Sequence, residues 1–209
     1  MLRILAMLGW MSIALSAQQP SEEDLAKLAA HIDKALGVRP GMRIADIGTG
    51  LAIQHPIRIA RGVAPEGSVT CVEISQAAVD RIRNRVADEH IANMNAQLGK
   101  TDDPLLAAGQ FDAILISNAY HEFGEPQEML KHICDALKAD GTLVVVENYS
   151  IEHRKEARAE QAKRHDMAPE ILERELAAAG FTVKERVDPV LVNSPDRMRY
   201  LVRATKTQR

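Results

Sequence analysis

The sequence predicts a doubly wound α/β domain: a mostly parallel, seven-stranded sheet between two helical layers, finished by an antiparallel C-terminal hairpin. Three observations predict it. Helical and strand-like segments alternate along the chain, as β-α-β units do. The strand-like segments are short continuous apolar runs, the pattern of parallel strands buried on both faces. Four of those runs end in polar residues, at Asp46, Glu73, Asn118 to Glu122, and Glu147. Those are the carboxyl ends, outside which open α/β sheets hold their ligands.

Each element follows from local chemistry. Ser21-Glu22-Glu23-Asp24 has the form of a capping box, and Leu25, Leu28, Ala29, Ile32 and Leu36 recur at helical spacing before Gly37 ends the helix. Pro40-Gly41 is a turn, and residues 43–47 form the first strand. The chain then enters Asp46-Ile47-Gly48-Thr49-Gly50-Leu51-Ala52, a strand running into a glycine turn. Gly48 and Gly50 let the backbone turn sharply and a ligand approach it, and Ala52 is the third small position. A dinucleotide fingerprint requires glycine three residues after Gly50, where Ile53 stands, so the loop suits a nucleoside without a pyrophosphate. Pro56 is tolerated only in a first turn, which starts the next helix near residues 55–56 and leaves 51–54 as an extended loop.

Strand 68–73 ends in Glu73, and helix 77–89 carries Val79, Ile82 and Val86 on one face. Strand 94–98 leads into a loop, and strand 111–117 ends in Asn118-Ala119-Tyr120-His121-Glu122-Phe123. Gly124-Glu125-Pro126 opens a helix that closes at Asp140-Gly141, followed by an apolar strand over 143–147. The charged stretch 151–166 reads as a flexible connection or lid. Helix 169–179 precedes two strands, 181–187 and 198–204, joined without a helix and therefore antiparallel.

Composition bounds the function. The 209 residues suit one domain, and 46% hydrophobic with 26% charged residues is ordinary for a globular chain. A net charge of −3 and 3% aromatic residues argue against a nucleic-acid partner. Residues 1–17 read as a signal peptide: Arg3, an apolar run from Ile4 to Leu15 too short for a stable membrane span, then small residues to Ala17. The domain then comprises 18–209, with an N-terminal helix over 18–37 and a core over 38–204, in an exported protein. A cytoplasmic chain is the alternative. Cys71 and Cys134 fall at apolar interior positions and read as buried free thiols.

These residues resemble the class I S-adenosylmethionine-dependent methyltransferases, over about residues 38 to 204. Asp46-Ile47-Gly48-Thr49-Gly50 looks like the family's cofactor loop, Glu73 matches its ribose-binding acid, and Leu137-Lys138-Ala139-Asp140-Gly141-Thr142-Leu143 resembles the turn before its fifth strand. A subgroup with YHEF after the fourth strand and a later H-x-M is closer still, here Tyr120-His121-Glu122-Phe123 and His165-Asp166-Met167. The resemblance implies an S-adenosylmethionine site made by Asp46, Gly48, Thr49, Gly50, Glu73, Ile74 and Asn118, with Asp102 or Asp103 accepting from the adenine amine. It implies methyl transfer to a small molecule.

Positioning supplies much of the rate of such an in-line displacement, and an acceptor carrying a proton also needs a base. His121 is the first candidate, with Tyr120 and Glu122 beside it. A metal set of His121, Glu122, Glu147 and His165 is the sharper rival, but H-E-x-x-H is absent and the sequence reading adopts no metal. Two other functions compete. An NAD-type oxidoreductase is opposed by Ile53, and a repurposed, non-catalytic binding domain is favoured by export, since S-adenosylmethionine is made in the cytosol.

Overall fold

The structure, a computed structural model, describes residues 20–50 and 53–207. The leader over 1–17 and the pair Leu51-Ala52, with the third small position, lie outside the described residues. In chain order the elements are α1 (Glu22–Leu36), β1 (Arg43–Ile47), α2 (Gln54–Val63), β2 (Ser68–Glu73), α3 (Gln76–Asp88), β3 (Met94–Leu98) and β4 (Phe111–Ser117). A 3-10 turn over Tyr120–Glu122 precedes α4 (Pro126–Ala136), β5 (Leu137–Ser150), α5 (Arg158–Ala162), α6 (Pro169–Ala178), β6 (Phe181–Ser194) and β7 (Arg197–Lys206).

The sheet order is β3-β2-β1-β4-β5-β7-β6. The first five strands are parallel, and β7 pairs antiparallel with both β5 and β6. The order of winding reverses between β1 and β4, and this opens a crevice beyond their carboxyl ends. Register decides what meets there. Ile47 pairs with Val72 on one side and Ile116 on the other, so the glycine turn emerges between Glu73 and the loop after β4.

Both faces of the sheet are covered, which explains why its strands are apolar throughout. Alternate residues divide between two cores. Ala45, Ile114, Ile116, Leu143 and Val145 pack with Met129, Leu130 and Ile133 of α4 and Leu172 and Leu176 of α6. Ile44, Ala113, Leu115, Val144 and Val146 pack with Leu28 and Ile32 of α1, Ile57 and Ile59 of α2, and Val79 and Ile82 of α3. The α1 capping box forms as its sequence dictates: the Ser21 hydroxyl oxygen accepts from the Asp24 N–H, and the Asp24 carboxylate accepts from the Ser21 N–H. Pro56 sits in the first turn of α2, where no intrahelical donor is missed.

Four elements depart from the sequence reading, one of them β6, which continues past residue 187 along β7 to Ser194. The helix expected to run to Asp140-Gly141 stops at Ala136, and β5 begins at Leu137. Its first residues bulge: Phe111 and Ala113 of β4 face Leu137 and Thr142 of β5. Lys138 binds Asp112 at 2.6 Å, and the Lys206 ammonium donates to the Leu137 carbonyl at 2.6 Å, so tertiary partners override helix-favouring residues. The strand also continues past Glu147 to Ser150, pairing Asn148, Tyr149 and Ser150 with Arg199, Met198 and Arg197. Residues 151–166 are pinned. Arg154 stacks on Tyr149 and binds Glu170, Arg158 binds Glu175 at 3.0 Å, and buried Gln161 donates to the Arg154 and Glu156 carbonyls. Cys71 is a buried thiol that burial pushes well above its ordinary pKa, whereas Cys134 is only partly buried.

Candidate functional site

The crevice is built by four strand ends. Ile47 and Gly48 come from β1, Val72, Glu73 and Ile74 from β2, Lys100, Thr101 and Pro104 from the loop after β3, and Ala119, Glu122 and Phe123 from the loop after β4. With the open solvent at its mouth included, it spans about 480 Å³ of space free of atoms. Gly48 turns at φ 72, and a Cβ there would lie 2.4 Å from the Ala119 Cβ, so only glycine lets the two loops meet. The Gly50 N–H donates to Glu73 Oε1 at 2.5 Å, tying the glycine turn to the acid. Ile74, 58% exposed, adds an apolar wall to the slot. An apolar slot rimmed by one carboxylate could hold a flat base in the slot and a pair of hydroxyls on the acid.

Asp46 lies beneath the turn, 3% exposed. Burial pushes its carboxyl up to about 7, the Thr49 hydroxyl pulls the other way, and the charge of Glu73 adds to the rise. Thr49 also donates to the Asp46 carbonyl at 3.1 Å, closing the turn.

A second polar group stands at the end of β4 and β5. Asn118 takes φ 55, and its side-chain oxygen accepts from the Asn148 amide, which directs the following 3-10 turn. Within that turn neighbouring side chains diverge. Tyr120 enters the core, where its hydroxyl donates to Glu175 of α6 at 2.7 Å. His121 faces the opposite way: its Nδ1 lies 3.0 and 3.1 Å from the two oxygens of Glu147, and its backbone N–H also donates to Glu147 Oε1. Glu147 is fully buried and accepts in addition from the Asn148 N–H. Burial acts to lower the His121 pKa, but the Glu147 carboxylate outweighs it and holds the imidazole above its ordinary value.

The opposite ring nitrogen, His121 Nε2, lies 3.2 Å from His165 Nδ1 and 3.8 Å from Glu122 Oε1. His165 projects from a turn at φ 55 after α5. Its neighbours Asp166 and Met167 are buried. Asp166 is anchored by an ion pair to Arg197 at 2.9 Å, and the Met167 N–H donates to the Asn148 carbonyl at 2.8 Å. The sequence motif H-x-M therefore has a physical reading: two buried anchors present one exposed histidine.

Several predicted site residues fall elsewhere. Asp103 closes its own turn, accepting from the Leu105 N–H at 2.8 Å, and lies 3.8 Å from His132 of α4. Asp102 is exposed on the same loop, whose cleft wall is made by Lys100 and Thr101. The sequence reading missed that pair. Gly99 was the available signal, because a Cβ there would lie 2.8 Å from Val72 Cγ1, so the chain must turn back against β2 at that point. Glu175, the partner of Tyr120, carries no signal at all in the sequence.

Known proteins share this fold. A family model described as a methyltransferase domain matches residues 39–193. Protein-L-isoaspartate O-methyltransferase 2 of Rhodopseudomonas palustris (strain HaA2) is 33% identical over 119 residues, which are 56% of this chain and 49% of that protein. A protein-L-isoaspartate O-methyltransferase of Rhodopseudomonas palustris (strain BisB18) is 28% identical over 138 residues, 65% of this chain and 58% of that protein. The chain thus spans about half the length of the curated relatives it matches. Among solved structures, a SAM-dependent methyltransferase from Aquifex aeolicus superposes with TM-score 0.71 at 19% identity, covering 84% of this chain and 88% of that one. The geranyl diphosphate C-methyltransferase of Streptomyces coelicolor A3(2) gives TM-score 0.71 at 14% identity, covering 88% and 79%. At these identities the likeness shows the fold, while the family match covers most of the chain. The chain belongs to the class I S-adenosylmethionine-dependent methyltransferase family.

Proposed function

We propose that the protein transfers a methyl group from S-adenosylmethionine, the family's cofactor, to a small-molecule acceptor. The single observation that carries this reading is Glu73 at the end of β2, joined to the glycine turn through the Gly50 N–H beside an apolar slot. When bound, the cofactor supplies a sulfonium methyl for in-line transfer to an acceptor lone pair.

In this reading Glu73 holds the ribose hydroxyls, and Gly48, Thr49 and Gly50 line the backbone cradle above Asp46. Ile74 supports the base, against the crevice wall that Lys100, Thr101 and Pro104 supply. Asn118 serves by fixing the loop, through its bond from Asn148. Glu122 lines the crevice and meets the acceptor, with His121 Nε2 3.8 Å behind it. Tyr120 is assigned a structural part, because its hydroxyl is held by Glu175. Ile53 is buried at the start of α2, which leaves no glycine there for a pyrophosphate and supports the nucleoside reading over a dinucleotide one.

A protein isoaspartyl acceptor is the second reading, favoured by the names of the curated relatives. Incubation with methyl-labelled S-adenosylmethionine tests both. Label is expected in small molecules of an extract from the native host; label that enters only an isoaspartyl peptide overturns the small-molecule assignment. The leader over 1–17 is proposed to direct export. Amino-terminal sequencing of protein from the native host is expected to begin at Gln18, and an intact Met1 contradicts it.

A further inference from the structure

We infer that His121, Glu122 and His165 form a binding site for a divalent first-row transition cation, with Glu147 as its supporting carboxylate and its open positions toward the crevice. The sequence offers His121, Glu122, Glu147 and His165 as four equivalent donors. The structure divides them. Glu147 lies behind the imidazole, with both oxygens on His121 Nδ1, and a histidine held this way by a carboxylate keeps its proton on Nδ1 and presents a lone pair at Nε2. Carboxylate, histidine and cation in that order is the usual outer-sphere arrangement of metal-bound histidines.

The three remaining donors converge. One ligand atom from each of His121, Glu122 and His165 lies within 4.8 Å of the others. The 3.2 Å between His121 Nε2 and His165 Nδ1 is close to the separation of two nitrogens on one tetrahedral ion, roughly 3.3 Å for bonds of about 2.05 Å. The two rings meet edge to face, 83° apart, so they are not stacked on one another. His165 is held at positive φ by its anchored neighbours, with its own carbonyl accepting from Arg197 at 2.9 Å. Backbone strain of that kind persists where the surroundings impose it, and it clusters at functional sites.

The donor set selects the ion. Two imidazoles and one carboxylate, with no thiolate, suit zinc, manganese or iron(II) rather than a soft cation, and three protein ligands leave positions open as catalytic sites do. One side of the cluster is Glu122, which also lines the cofactor crevice. The ligand for the open positions is therefore an acceptor oxygen bearing an ionisable proton, such as a phenol or enol. This last step rests on the proposed methyl transfer; the cation site does not.

Calorimetry on the full chain, stripped with a chelator and then titrated with zinc or manganese chloride, tests the site. One equivalent is expected to bind the wild type, and His165→Ala, a change of an exposed side chain, is expected to weaken that binding at least about tenfold. The cobalt(II) form is expected to have visible absorption that the same variant loses. Circular dichroism of the stripped proteins serves as the fold control, and S-adenosylhomocysteine titrated onto wild type and variant keeps the two ideas separable. Equal cation affinity in wild type and His165→Ala, or no saturable binding by the wild type, overturns the metal site whatever the S-adenosylhomocysteine titration gives. A wild type that takes up the cation but not S-adenosylhomocysteine would count against the methyltransferase reading and leave the cation site standing.

Discussion

Two carboxylates at adjacent strand ends do opposite work. Glu73 stays at the crevice rim, accepting from the Gly50 N–H, and is the residue proposed to hold the ribose hydroxyls. Replacing it by Ala removes a charged acceptor, and S-adenosylhomocysteine affinity is expected to fall by about 1.5–3 kcal/mol in calorimetry; unchanged affinity would mean the nucleoside lies elsewhere. Asp46 is buried, and its carboxyl rises to about 7 from an ordinary 3.8. Between those values the native protein holds a proton that the unfolded chain has released. Stability from this group is therefore greatest at low pH and is lost as pH rises toward 7, at about 1.4 kcal/mol per pH unit at most. Asp46→Asn cannot lose a proton, so the variant should match or trail wild type at pH 5 and exceed it at pH 8 in urea denaturation. Parallel pH profiles would contradict the buried-acid assignment. Both positions were legible as local signals: Asp46 ends an apolar run beside alternate glycines, and Glu73 ends the next apolar run. The direction of Tyr120 was not: it depends on Asn118 turning at φ 55, after which consecutive side chains face opposite layers.

At the scale of elements, the parallel strands and their helices were legible from apolar runs and turn residues, and β1 to β4 keep the expected bounds. The start of β5 was not. Leu137-Lys138-Ala139 favours helix locally, and the partners that convert it to strand, Asp112 and Lys206, are remote in sequence. The charged stretch 151–166 hides its structure for a similar reason. Its charges look solvated in sequence but meet Glu170, Glu175 and Asp188 in the fold, which makes it a strap rather than a lid. Gln161 is its keystone: its amide donates to the Arg154 and Glu156 carbonyls, and its oxygen accepts from the Ala168 N–H at 2.6 Å. Gln161→Ala leaves the buried Ala168 N–H and two part-buried carbonyls unpaired, and unfolding free energy is expected to drop by about 2–4 kcal/mol in denaturant titration. A loss under about 0.5 kcal/mol would show that the strap is held by its surface ion pairs instead.

For the whole molecule, one topological fact organises function: the winding reverses between β1 and β4, so the glycine turn, Glu73 and the loop carrying His121 face one crevice. The hairpin of β6 and β7 completes the other side, with β7 supplying Tyr200, Leu201 and Val202 to the cores and Arg197 and Arg199 to the polar end. Among the described residues no helix is long and apolar enough to cross a membrane. Everything proposed for the chemistry depends on this crevice holding the nucleoside of S-adenosylmethionine. Calorimetric titration of S-adenosylhomocysteine onto the full chain tests that most directly: saturable one-to-one binding is expected, and no binding heat at any temperature on folded protein would contradict it.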